Sequence, residues 1–135
     1  FIVAFSRFIY RNWGSETRFY DSQTQKVVNE VKNKTHPGDK IQVINYWDNI
    51  YPLTGTLPSF KPWIPYLSWY LKYPSIEKKY TYELTTNKPL LVVEGVFKEN
   101  SVNSYEIPEI KNFLDHFYSP FSLIDKKVDI LLLNQ

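Results

Sequence analysis

Residues 36 to 58 read HPGDKIQVINYWDNIYPLTGTLP, and this stretch constrains the fold more than any other. Pro37 presets φ and Gly38 accepts positive φ, so the pair predicts a tight turn. A compact strand follows from Ile41 to Tyr46, its apolar set of Ile41, Val43 and Ile44 broken only by Gln42. Upstream, Val27, Val28 and Val31 recur at helical intervals, with Lys26, Asn29, Glu30, Lys32 and Asn33 facing out. Ser22 and Gln25 have capping-box spacing and predict the helix start. Pro37 disfavours helical geometry at His36, so the helix should end near Thr35. Helix, turn and apolar strand together read as an α/β unit. In such sheets ligands sit beyond the carboxyl ends of the strands. Here that place is taken by Asn45, Tyr46, Trp47, Asp48, Asn49 and Tyr51.

The remaining elements extend the pattern. Asp48 to Leu53 reads as a short helical turn, with Asp48 as N-cap and Gly55 at its end. From Pro58 to Pro74 there are four prolines, interleaved with Phe60, Trp63, Tyr66, Trp69, Tyr70 and Tyr73. Such a stretch cannot form one long helix or a central strand. A short helix over 64–72, with Pro65 in its first turn, fits within it, and the whole reads as an aromatic connection over the sheet edge or a lid. Ile76, Tyr80 and Leu84 predict a helix over 75–87, stopped by Asn87-Lys88-Pro89. Leu90 to Glu94 is an unbroken apolar run that suits a strand covered on both faces. A polar loop over 95–103 leads to Pro108, which can open a helix carrying Ile107, Ile110, Phe113, Leu114 and Phe117. Phe121 to Ile124 and Val128 to Leu133 form a hairpin around Asp125-Lys126-Lys127. The expected fold is an α/β layered sandwich. It has a small mixed sheet, parallel at the centre with a C-terminal antiparallel hairpin, and flanking helices.

A chain of 135 residues is one domain, assigned here to residues 21–135. Residues 1–20 form a leading segment. FIVAFSRFIYRNW is too short to span a bilayer, which needs ~20 apolar residues. It reads either as the end of a membrane-spanning helix with interfacial Arg, Tyr and Trp anchors, or as the first element of the domain. The chain has no Met, which predicts that it is processed or cut from a longer protein. It has no Cys, which excludes disulfides and a thiol nucleophile. The net charge of +2 comes from scattered residues, with no basic stripe to meet a nucleic acid.

The four glycines, at 14, 38, 55 and 95, form no phosphate-cradling motif, and there is no GxSxG elbow. His36 and His116 have no ligand partner at helical spacing, so no metal site is expected. Asp48 and Glu94 fall at the ends of two predicted parallel strands. There they could converge as an acid and base pair, or simply end a strand and cap a helix. Tyr46, Trp47 and Tyr51 beside Asp48 suit a sugar-binding ring platform, or aromatic packing between layers. The candidate substrate-binding set is therefore Tyr46, Trp47, Asp48, Tyr51 and Glu94, with no catalytic residue assigned.

One pattern points to a family. Thr35, Pro37, Asp39 and Ile41 match a T-x-P-x-D-x-I turn and strand. Ile50, Tyr51, Leu53, Gly55 and Pro58 match a loop ending I-Y-x-L-x-G-x-x-P. Lys88, Pro89, Val92 and Val93 match a K-P-x-x-(I/V)-V strand, and Phe113, Leu114 and Tyr118 precede the hairpin. Over residues 20 to 133 this resembles the C-terminal extracytoplasmic region of GT-C-type membrane glycosyltransferases. These are the proteins similar to dolichyl-phosphate-mannose–protein mannosyltransferases and lipid A aminoarabinose transferases. The aromatic insert over 61–73 departs from the pattern. The resemblance implies a membrane protein with this domain on the extracytoplasmic side, transferring a sugar from a lipid-phosphate donor. Its chemistry would reside in membrane loops absent from this chain, which would hold no cofactor and not be catalytic alone. The expected partners are the membrane portion of the same polypeptide and a lipid-linked sugar donor or acceptor. The alternatives are a free-standing carbohydrate- or protein-binding module, and a small enzyme using Asp48 and Glu94.

Overall fold

A computed structural model describes residues 20–61, 73–96 and 107–134. The aromatic connection over 62–72, most of the loop over 95–103 and nearly all of the leading segment lie outside these residues.

The first helix, α1, spans Ser22–Lys32. Its N-cap is Asp21 rather than Ser22. The extended backbone at Asp21 lets its carboxylate accept the Thr24 amide hydrogen at 2.7 Å. Val27, Val28 and Val31 are buried, as their spacing predicts. The helix closes at Asn33, short of Thr35, whose hydroxyl donates back to the Val31 carbonyl at 2.8 Å.

Strand β1 spans Lys40–Ile44 and ends two residues before the expected Tyr46. Asn45 takes φ 52°, a left-handed conformation that a strand cannot continue through. Helix α2, Ile50–Thr54, follows. Asn49 precedes it without a side-chain cap bond, so Asp48 does not hold the capping position. Gly55 closes α2 at φ 74°, and the short strand β2, Leu57–Pro58, runs parallel to β1.

Helix α3 spans Pro74–Asn87 and buries Tyr80 and Leu84. Lys88 ends it at φ 38°, with its ammonium 4.1 Å from the centre of the Phe117 ring. Strand β3, Leu91–Gly95, is buried throughout, as its unbroken apolar run requires. Helix α4 spans Pro108–Phe117, with Pro108 in its first turn. It passes directly into β4, Tyr118–Ile124, which turns back into β5, Val128–Leu133. Asp125 and Lys126 both take positive φ, and Lys127 N–H donates to Ile124 O at 2.9 Å. That is the type I′ turn that matches hairpin twist.

The sheet order is β2-β1-β3-β5-β4. β1 is parallel to both β2 and β3, while β5 is antiparallel to β3 and β4. Alternate residues face opposite layers. Ile41, Val43, Leu91, Val93, Val128 and Ile130 pack under α1 and α2. Ile44, Val92 and Tyr118 pack under α3 and α4 with Tyr80, Leu84, Ile110, Phe113 and Leu114. The result is the layered α/β architecture, with its parallel centre and antiparallel hairpin.

Candidate functional site

The carboxyl ends of β1 and β3 lie side by side, because the two strands are parallel neighbours. The chain leaves β1 through α2 toward β2, which flanks β1 on the side away from β3. A strand order that diverges in this way marks where α/β sheets take their ligands. The five candidate side chains all belong to this end of the sheet, but the fold distributes them among three environments.

Tyr46 and Trp47 serve the core. Tyr46 is 1% exposed, and its hydroxyl lies 3.4 Å from that of Thr24. Trp47 is half-buried against the same cluster beneath α1. Past the left-handed turn at Asn45, the Tyr46 ring is buried and the Trp47 ring packs partly against the core, so the two do not form one exposed platform.

Asp48 and Tyr51 share a groove. With Asn49, Pro52, Pro58 and Lys61 they line a space of about 540 Å³. Asp48 is exposed, whereas only 6% of Tyr51 is. The Tyr51 hydroxyl has a structural task. It accepts the Val43 amide hydrogen at 3.0 Å, on β1 just past the last residue that β2 pairs. Burial pushes its pKa up to about 12, opposed by the Val43 hydrogen bond and assisted by the nearby Asp48 carboxylate.

Glu94 lies apart, on the sheet face covered by α3 and α4, and is 6% exposed. In register it stands beside Ile44 of β1 and directly opposite Asp129 of β5. Cross-strand partners of this kind project from one face with Cβ atoms roughly 5 Å apart. Burial raises the pKa of Asp129. Asp48 and Glu94 are therefore not brought together in the Asp48 groove, whose described walls omit Glu94. The carboxylate that faces Glu94 is Asp129, which the sequence reading did not select.

A buried polar chain was also not anticipated. The Ser59 hydroxyl donates to the Gln42 side-chain oxygen Oε1 at 2.9 Å, and the Gln42 side-chain Nε2 donates to the Tyr80 hydroxyl at 3.3 Å. Burial holds the Tyr80 phenol far above its ordinary pKa, reinforced by Tyr51 and Glu94 and opposed by the Gln42 bond. The visible signal was Gln42 itself, the lone polar residue inside an apolar strand.

The two histidines stay at the surface, His36 in the turn and His116 in the last turn of α4. Among the described residues, no three His, Asp or Glu side chains are placed to hold a metal ion, and no helix is long and apolar enough to cross a membrane. Comparison with protein-family models, curated proteins and solved structures yields no match.

Proposed function

We propose that this chain is an accessory extracytoplasmic domain of a polytopic membrane glycosyltransferase that transfers a sugar from a lipid-phosphate donor. One observation carries the reading. Two of the motif stretches behind the resemblance, residues 35–41 and 50–58, fold onto each other as one unit. Gly38 N–H donates to Gly55 O at 2.9 Å, and Leu57 N–H donates to Asp39 O at 2.9 Å. Asp39 also accepts the His36 amide hydrogen at 2.7 Å. Gly55 takes φ 74°, a backbone that side chains rarely adopt, and it packs beside Pro37. Residues with such roles preserve a scaffold, which suits a domain whose catalytic partner lies elsewhere. The Asp48–Lys61 groove is the face offered to the donor, the acceptor or the membrane portion.

The test reads the coding sequence upstream of Phe1 and then deletes residues 21–135 from the full-length protein. Many hydrophobic segments upstream, together with loss of sugar transfer from a polyprenyl-phosphate donor on deletion, support the reading. A coding region without such segments overturns it in favour of a free-standing binding module.

A further inference from the structure

A second groove lies on the outer surface between α3 and α4. Pro74, Glu77, Lys78, Thr81, Tyr82 and Thr85 recur along one side of α3, and Glu109 in the first turn of α4 stands across from them. The space between is about 340 Å³, within the range of small-ligand sites. α3 anchors itself through Tyr80 and Leu84, and Tyr82 is 66% exposed. The helix thus needs Tyr82 for no contact with the core, yet holds its ring in water beside a concavity.

The lining defines the ligand. An exposed tyrosine and a proline offer flat apolar surface. Two carboxylates accept hydrogen bonds, an ammonium donates them, and two hydroxyls add more. The Thr85 hydroxyl already donates to the Thr81 carbonyl at 2.9 Å, so its oxygen is turned to an accepting role. An anionic ligand would meet two carboxylates against one ammonium. A wholly apolar ligand would strand every one of these polar groups. A molecule with a C–H face and a rim of hydroxyls satisfies both kinds of surface. We infer that the α3–α4 groove is a saccharide-binding site, with Tyr82 stacking on a pyranose ring and Glu77 and Glu109 accepting its hydroxyls. This site does not depend on attachment of the domain to a transferase.

The experiment is an amide NMR titration of the 135-residue chain with trisaccharides of glucose, mannose and galactose. Saturable shifts at Glu77, Thr81, Tyr82 and Glu109 are expected with at least one sugar. Tyr82→Ala should weaken that binding roughly tenfold, and Tyr82→Phe, which keeps the ring, by no more than about twofold. Glu109→Gln should weaken it as well. Because Tyr82 and Glu109 are exposed, the variants keep the fold, which the same spectra verify. Flat titrations with all three sugars overturn the proposal. So do shifts confined to the Asp48–Lys61 groove, or binding indifferent to Tyr82→Ala.

Discussion

The hydroxyl of Tyr51 does for β1 what a neighbouring strand would do. β2 pairs only with Lys40 and Ile41, so the Val43 amide would otherwise be buried without an acceptor. Tyr51→Phe should therefore destabilise the domain by about 1–3 kcal/mol, the cost of an unmet buried donor, read from denaturant unfolding. Gly55 is constrained by its backbone, at φ 74°, while the neighbouring Pro37 would leave room for a β-carbon in ordinary contact. Gly55→Ala should lower stability by roughly 1–2 kcal/mol, as a β-carbon in left-handed backbone does. Asp129 gives a pH signature. Its folded pKa is raised by burial above the unfolded value near 3.8. Its contribution to stability is complete below the unfolded pKa and declines as pH rises through the folded one. Unfolding midpoints measured across that acidic window should show this decline, and Asp129→Asn should flatten it.

At the scale of elements, α1 depends on its cap. Asp21→Ala should remove about 1 kcal/mol, seen as an earlier urea midpoint. The edge strand β4 carries its own protection. Pro120 lacks an amide hydrogen, the register shifts between Pro120 and Ser122, and the Lys34 ammonium sits 4.6 Å from the centre of the Phe121 ring. Most elements were legible in the sequence because their signals are local. Valine spacing marked α1, the spacing of Ile76, Tyr80 and Leu84 marked α3, Pro108 opened α4, and an unbroken apolar run marked β3. What was misplaced depends on distant contacts. β4 begins at Tyr118 rather than Phe121 because Tyr118 packs under α4 and donates its hydroxyl to the Pro89 carbonyl at 2.7 Å. The candidate site was half legible for a similar reason. Tyr46, Trp47 and Tyr51 look equivalent in a list of residues, and only the backbone turn at Asn45 separates core rings from groove wall. Asp129 becomes a neighbour of Glu94 through strand order alone.

The described residues include two separate grooves, one at the strand ends and one between α3 and α4, held by cores on both faces of the sheet. Binding at one groove should leave amide shifts at the other unmoved, since the sheet lies between α2 and α3. The strand order has a further consequence for how the chain is made. β5 comes last in sequence yet lies between β3 and β4. While the ribosome is still releasing residues 128–133, β4 has no strand to join, and β3 has only one of its two neighbours. The nascent chain must hold two unfinished edges until that moment. Its sheet closes in a single late step, so chaperone contact should persist until β5 clears the exit tunnel and cease after it.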